Sequence, residues 1–305
     1  VLPDMDADAI GGSVNLVTRK APNDLRVSGT LASGVNLLSD KPIYTGAFVI
    51  GNRILNNKLG FVLSGSYNNH QLGSHNVEGV WINTNQGAVI DELDIRNYTV
   101  QRVRRSVSAN LDYDFNPNHS IGFSVMYNWR DDWENRFRMR VSRLEDAFDD
   151  NKFTSLGNGK YTALGRVEYQ TKGGLDNDRI KNARLEDQRV YNYTLNGSHL
   201  FNKLRATWNV TLAKASEERS NERYISFRRS NRQVDLDISD PEFPSTYLSN
   251  RAENLQLPLN EITEQYGFTS DQDLNARLDF SLPYSDKGVL KFGGRYRSKD
   301  KLRNN

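Results

Sequence analysis

The sequence predicts an all-β chain that forms part of a transmembrane antiparallel β-barrel. Three observations predict it: apolar and polar residues alternate over long runs, tight turns join these runs in pairs, and no run is apolar enough for a helical span. The alternation is clearest in residues 106–130, which form two runs around the turn 116–118. One face of this hairpin is apolar and ends in Tyr127 and Trp129, whereas the other face is polar. Such a pair is typical of strands between lipid and a wet lumen.

The composition agrees with a barrel and excludes several other classes. The mean hydropathy is -0.70 and 26% of the residues are charged, so no stretch approaches the roughly 18 apolar residues of a transmembrane helix. A barrel strand needs only every second residue to be apolar. The formal net charge of +2 gives no reason to expect nucleic acid as a partner. The absence of cysteine excludes disulfides, thiolate metal sites and cysteine nucleophiles.

About nine strand candidates follow one another, joined by connections that are alternately short and long. The first three are predicted at residues 25–33, 44–54 and 59–69, with a tight turn at Asn56 and Asn57. The polar segment 70–94, which contains Trp81, is predicted to be a long loop.

The hairpin at 106–130 supplies the next two strands, and its alternation extends outward to residue 95 and to Val141. A bilayer crossing needs about 9–11 tilted residues, so these strands are too long for the membrane alone. Their outer halves carry charge on both faces and are predicted to stand in water. Residues 142–184 are predicted to form a second long excursion, with a hairpin arm at 161–169.

The remaining strands are predicted at 189–201 and from Leu204 onward, joined by a turn at Asn202 and Lys203. Residues 229–269 are predicted to be irregular, because Pro241, Pro244 and Pro258 are unsuited to a central strand. Two further strands are expected around the turn 285–288, with apolar faces from Leu274 and from Leu290.

The amino-terminal segment carries the only family-level motif. It contains Ile10, Gly11, Gly12, Ser13, Val14 and Asn15, followed by Leu-Val-Thr-Arg. This motif resembles the end of the plug domain of TonB-dependent outer-membrane receptors, where a similar glycine pair and strand lead into the first barrel strand. The resemblance implies that residues 1–22 end a plug domain and that 23–305 form the first part of a 22-stranded barrel. The sequence is therefore expected to be an internal fragment.

The resemblance also implies a function. Such a protein would sit in the bacterial outer membrane, bind a scarce solute with its outer loops and plug, and import it when TonB supplies energy. The form Asp-Met-Asp-Ala-Asp-Ala-Ile-Gly-Gly resembles the branch associated with carbohydrate uptake, so an oligosaccharide is favoured over a siderophore or another iron chelate. The implied partners are TonB, outer-membrane lipid and the solute. No catalytic constellation, cofactor or metal site is expected.

Six loop residues are candidates for binding the solute. Three offer flat apolar surfaces and three offer hydrogen bonds; they are Trp81, Trp133 and Phe137, and Arg130, Asp131 and Asn135. Each could instead be a membrane-interface or loop-packing residue. His70 and His75 could meet a metal, but loop histidines without carboxylate or cysteine companions are more often surface residues. The competing functions are a passive porin-like channel, a surface-binding barrel without energy coupling, and a hydrolase housed in a barrel.

Overall fold

The computed structural model describes residues 20–84, 87–149, 152–174, 183–248 and 256–304. Nearly all of them lie in strands, so the prediction of an all-β, barrel-like fold is confirmed at this level. Among the described residues, no helix is long and apolar enough to cross a membrane. The elements are β1 (Arg26–Asn36), β2 (Lys41–Ile54), β3 (Leu59–Thr84), β4 (Gly87–Asn116), β5 (His119–Ser142), α1 (Leu144–Asp149), β6 (Phe153–Gly157), β7 (Lys160–Gly174), β8 (Arg184–Phe201), β9 (Leu204–Asp237), β10 (Ser245–Leu248), β11 (Leu259–Ser285) and β12 (Gly288–Asn304).

The twelve strands form one antiparallel sheet in which nine positions follow one another. The order is β1-β2-β3-β4-β5, then β7 and β8 in one position, then β9-β11-β12. β8 lies beside the first part of β5 and β7 beside its last part, so the two run end to end. β6 and β10 extend this sheet by pairing with β7 and β9. The nine positions match the predicted strand count.

Tight turns define one end of the sheet, called here the short-turn end. Leu55, Asn56 and Asn57 have positive φ in the turn between β2 and β3, and Asn202 has φ 55 between β8 and β9. Asparagine adopts this left-handed conformation more readily than most residues. The predicted turns at 56–57, 117, 202–203 and 285–288 are all present. The opposite end is called the long-loop end.

The prediction of a loop at residues 70–94 is wrong. β3 and β4 stay paired through this segment, from His70 opposite Arg102 to Thr84 opposite Gly87. A regular apolar alternation is absent here, because the residues before Val80 are mostly polar and the apolar residues Val89, Ile90 and Leu93 do not follow a period of two. Backbone hydrogen bonds between neighbouring strands continue regardless of which side chains the strands carry.

The irregular region predicted at 229–269 is also shorter than expected. β9 continues to Asp237, and β11 already begins at Leu259. The three prolines fit this arrangement, since Pro241, Pro244 and Pro258 all lie outside the strands. The arm predicted at 161–169 is present as the β6–β7 hairpin.

An apolar band covers one face of the sheet near the short-turn end. Its side chains are in register across the sheet, and one row runs through Val27, Ile50, Leu63, Ala109, Val125, Tyr193, Leu212 and Leu274. Many large members of the band are uncovered: Leu31 is 93% exposed and Phe292 is 52% exposed. The opposite face at the same level is polar, with residues such as Ser64, Ser108 and Thr194.

A small closed core lies near the long-loop end, and we call it the cap. α1 and the β6–β7 hairpin fold over the sheet there and bury eleven apolar residues: Val89, Ile90, Leu93, Val141, Leu144, Ala147, Phe148, Ala163, Val167, Val234 and Leu236. Phe148, Phe153 and Tyr161 pack at its edge in tilted and edge-on arrangements, with ring centroids 4.7–6.3 Å apart.

The segment that leads into β1 lies against the polar face. A Cβ atom at Gly51 would be 2.9 Å from Cδ of Pro22, and one at Gly60 would be 2.7 Å from Cβ of Ala21. Glycine at these two positions lets the entering chain approach the backbone of β2 and β3 closely. The chain before β1 therefore approaches the sheet from the face opposite the apolar band.

Candidate functional site

The polar face carries a dense group of ion pairs beyond the level of the apolar band. We call this group the charged wall. Because side chains alternate between the two faces of a strand, every second residue of β4, β5, β7, β8 and β9 points to this side. The members of the wall are Asp94, Arg96, Arg102, Arg130, Asp132, Glu134, Arg138, Arg140, Glu168, Lys172, Arg184 and Glu222.

Asp94 is the centre of the outermost group. Its two carboxylate oxygens accept hydrogen bonds from Nε and Nη2 of Arg140, at 2.7 and 2.8 Å, and Arg96 donates a further bond. Burial alone would raise the pKa of Asp94, but the bonds from Arg140 and Arg96 outweigh it and hold the pKa below its usual value. Asp94 is therefore a buried carboxylate that stays ionised because it is paired.

Asp132 joins the next group toward the band. Nε and Nη2 of Arg102 donate to its Oδ2 at 3.0 and 2.6 Å, and Arg130 donates to the same oxygen. Arg130 also donates to the side chain of Gln188 at 3.1 Å. This group links three neighbouring strands, β4, β5 and β8.

Glu222 is the centre of the third group. Arg184 and Lys172 lie 3.4 Å from its carboxylate, and the Tyr224 hydroxyl donates a hydrogen bond to it. Burial would raise the pKa of Glu222, but the bond from Tyr224 and the two cations lower it below its usual value. Burial and the bond to Glu222 raise the pKa of Tyr224 to about 12. Burial and the charge of Arg184 lower the pKa of Lys172.

The position of Arg184 depends on the junction between β7 and β8. A side chain at Gly174, the last residue of β7, would collide with the carbonyl of Ala183, just before β8. Asn221 completes the junction: its amide donates to the Ala183 carbonyl at 3.3 Å and accepts from the Leu185 N–H at 2.9 Å. Gly174 and Asn221 thus allow β8 to begin where β7 ends, in the same position beside β9. This arrangement brings Arg184 next to Glu222.

The wall presents oriented charges that are already paired with one another. Its arginines are held by carboxylates, so little further side-chain entropy is lost when a polar molecule binds beside them. Charged groups also make stronger hydrogen bonds than neutral ones. The wall can therefore donate hydrogen bonds to, and accept them from, a hydroxyl-rich or otherwise polar molecule.

The six predicted binding residues do not meet in one place. Arg130 belongs to the charged wall, whereas Asp131, Trp133, Asn135 and Phe137 lie on the opposite face of β5. Asp131 and Trp133 are buried there, and Phe137 is 52% exposed. Trp81 lies on β3 near the long-loop end, opposite Ile90, and is 39% exposed. Their roles in binding stay predictions.

A cluster around Trp129 was not recognised as a group from the sequence. The guanidinium carbon of Arg105 lies 4.3 Å from the ring centre of Trp129, and that of Arg189 lies 4.8 Å away. The indole N–H donates to Asp131 at 2.7 Å, and Arg105 pairs with the same carboxylate at 3.0 Å. Tyr127 stacks on Tyr191 at 4.6 Å, so this cationic and aromatic layer edges the apolar band. The register of three strands creates it, and no single segment signals it.

The plug-end motif at residues 10–15 lies outside the described residues. Within the described ranges, no group of three or more histidine, aspartate or glutamate side chains is arranged to hold a metal ion. His70 lies beside Thr45, with Nε2 3.4 Å from its hydroxyl.

Comparison of the chain with family models, with curated proteins and with solved structures gave no match. The family resemblance therefore rests on the motif and on the strand pattern.

Proposed function

We propose that this chain belongs to a TonB-dependent receptor of the bacterial outer membrane that actively imports a scarce solute. An oligosaccharide is the favoured solute, and a siderophore or other iron chelate is the second. Residues 1–22 would end the plug, and 23–305 would form the first part of the barrel. The plug-end motif at 10–15 and three structural observations support this proposal.

The apolar band is the observation that carries the membrane part of the proposal. Apolar surface left in water costs about 25 cal/mol per Å², and soluble monomers rarely expose a contiguous apolar patch above a few hundred Å². Here the exposed apolar residues continue across all nine positions of the sheet. On β4 they extend from Val107 to Phe115, which fits the roughly 9–11 residues of a bilayer crossing. Lipid tails would remove the cost.

The position of Ala21 and Pro22 supports a plug within the barrel. In an outer-membrane barrel the apolar face meets lipid and the polar face meets the lumen. Ala21 and Pro22 contact the polar face at Gly60 and Gly51. A plug that precedes them would thus be connected to the barrel from the luminal side.

The charged wall supports a polar solute. It lies on the same face as Ala21 and Pro22, and its paired arginines and carboxylates can hydrogen-bond to hydroxyl groups. Trp81 and Phe137 are exposed toward the long-loop end and could stack on sugar rings, although both lie on the face opposite the wall. This combination favours carbohydrate.

Energy-dependent growth tests the proposal. Cells with this protein as their only receptor would be grown on single oligosaccharides, and separately on iron chelates as the only iron source, with and without TonB. We expect growth on an oligosaccharide that is lost when TonB is removed. The same cells would be fractionated, and we expect the protein in the outer membrane.

Two other outcomes would contradict the proposal. Growth that does not depend on TonB would indicate a passive channel, and solute binding without growth in either strain would indicate a surface-binding barrel. Growth on iron chelates alone would overturn the carbohydrate part of the proposal but retain active uptake.

A further inference from the structure

A cleft of about 270 Å³ opens beside α1, at the long-loop end of the sheet. Three parts of the chain line it: residues of α1 with Arg143 and Lys152 on either side of it, strand β7, and an irregular stretch of β9. Its polar lining residues are Arg143, Asp146, Lys152, Arg166, Ser230 and Asn231.

The arginines of this cleft differ from those of the charged wall. Arg138 and Arg140 in the wall are paired with Glu168 and Asp94. In contrast, neither Arg143 nor Arg166 makes an ion pair with any carboxylate of the described residues, and the same is true of nearby Arg228.

The charge balance within the cleft is positive. Apart from Lys152, which has an interaction of its own, the described lining has the two cationic side chains of Arg143 and Arg166 against one carboxylate, that of Asp146, so the formal charges of these three sum to +1. In a chain where most arginines of the outer strands are paired with carboxylates, this local excess is distinctive.

Irregular backbone on both sides shapes the cleft. Arg143 has φ 62 at the end of β5, and Asn231 has φ 56 within β9. The pairing of β7 with β9 shifts register between Gly165 and Val167, next to Arg166. Such irregularities re-aim side chains and persist when the surrounding structure holds them. Asp91 helps to hold the irregular backbone next to Arg143, because its carboxylate accepts a hydrogen bond from the Glu145 N–H of α1 at 2.9 Å.

The cations of the cleft repel one another. Burial, together with the positive charges of Arg143 and Arg228, lowers the pKa of Arg166. The described hydrogen bond of its guanidinium is a long one, 3.5 Å from Nε to the Ser230 hydroxyl. An anion between Arg143 and Arg166 would offset the repulsion between their charges and accept hydrogen bonds from their guanidinium N–H groups.

We propose that this cleft binds an oxyanion, namely a phosphate or sulfate group. Guanidinium groups match the geometry of such groups with two parallel hydrogen bonds, and both Arg143 and Arg166 are available for this contact. The volume lies just below the range of about 300–1,000 Å³ for drug-sized ligands, so a single anionic group or a small modified sugar fits. The site does not depend on the proposed transport function.

Calorimetric titration of the purified whole protein in detergent tests this proposal. Inorganic sulfate, inorganic phosphate, glucose 6-sulfate and glucose would be titrated at low ionic strength. We expect saturable binding of the anions and none of glucose. Tighter binding of glucose 6-sulfate than of sulfate would identify a modified sugar as the source of the group, whereas equal binding would identify the free ion.

Three variants make the test specific. Arg143→Gln and Arg166→Gln should each weaken binding about tenfold or more, since each removes charge-assisted hydrogen bonds. Asp146→Asn should strengthen binding, because it removes the only carboxylate among the described lining residues; a misfolded protein could not produce that gain. Arg104→Gln is the control, because Arg104 is an exposed arginine of β4 outside the cleft.

The proposal would be overturned by a lack of saturable anion binding in the wild-type protein. It would also be overturned by unchanged affinity in Arg166→Gln, or by equal loss in Arg104→Gln. All titrations are done without a membrane or an energy source, so loss of uptake in cells has no bearing on them.

Discussion

The apolar band and the cap treat the same kind of residue in opposite ways. On one face of β4, Val107 and Leu111 in the band are 53% and 44% exposed, whereas Leu93 near the other end of that face is 0% exposed. β5 repeats the contrast with Phe123, 39% exposed, and Val141, 0% exposed. The residue types and their alternation are alike at both levels. What differs is whether other parts of the chain cover them.

This difference indicates two different surroundings along one strand. In water the chain gains free energy by covering apolar side chains, and in the cap α1 and the β6–β7 hairpin do so. Among the described residues nothing covers the band in this way across its nine strands, so its exposed apolar side chains would be stabilised by contact with something other than water. Under the proposed function, that partner is lipid.

The largest expected effect comes from opening the cap. In Leu93→Ala, removal of a fully buried side chain should cost about 2–5 kcal/mol of local stability, because it leaves a cavity. Hydrogen exchange of the Lys152 N–H, which donates to the Ala147 carbonyl at 2.7 Å, would report this loss. Leu111→Ala is the matched control on the same face of the same strand. Equal acceleration in both variants would contradict the distinction between cap and band.

A charge placed in the band gives the next largest effect. Phe123→Arg should lower the free energy of unfolding by about 2–4 kcal/mol if the residue faces the bilayer midplane, and less near the interface. Phe137→Arg lies on the same face of β5 but beyond the band, so it should be nearly neutral. Urea unfolding of the protein in lipid vesicles would measure both. If both variants unfold like the wild type, the band does not face lipid.

Acid should loosen the long-loop end before the band, with the smallest of the three effects. The pKa of Asp94 is below its usual value of 3.8 in the folded chain. The stabilisation from its ion pairs is therefore complete above that value and is lost as the pH falls through the folded pKa. Glu222 behaves in the same way relative to its usual 4.5.

Hydrogen exchange of the outer strands, corrected for intrinsic rates and followed from pH 7 to pH 3, would measure this change. Asp94→Asn should flatten the pH dependence. Glu92 acts in the opposite direction on stability. Burial raises its pKa even though Arg140 lies 2.8 Å away, so its protonation in acid favours the folded chain. Outer strands that become more protected in acid would contradict the prediction.

The sequence predicted the band far better than the outer strands. Val107, Leu111 and Phe123 alternate with polar residues, and this pattern identified their hairpin and its two faces. Residues 70–94 lack the pattern, because most of their side chains meet water or charged neighbours and the apolar ones, such as Ile90 and Leu93, pack under the cap rather than against lipid at a period of two. Strand pairing persists there through the backbone and through pairs such as Arg96 with Glu78, which periodicity cannot reveal.

The candidate site was predicted less completely. The sequence indicated Arg130, Asp131 and Trp133 as candidates for one binding site, but adjacent residues of a strand face opposite sides, so Arg130 joins the charged wall alone. The partners of the wall come from distant positions, as when Arg184 meets Glu222 across the β7–β8 junction. The anion cleft likewise joins Arg143 to Arg166 by folding the chain back after α1.

By itself, the sequence determined the strand class, the two-faced character of the band and the tight turns, because these depend on local alternation and on residues such as Asn56 and Asn202. The tertiary structure alone decided which charges pair, which apolar residues are covered and which arginines lack a carboxylate. The physical reason is distance along the chain. Hydrogen bonds and ion pairs act over a few Å in space, and only the register of the sheet brings residues such as Asp94 and Arg140 within that range.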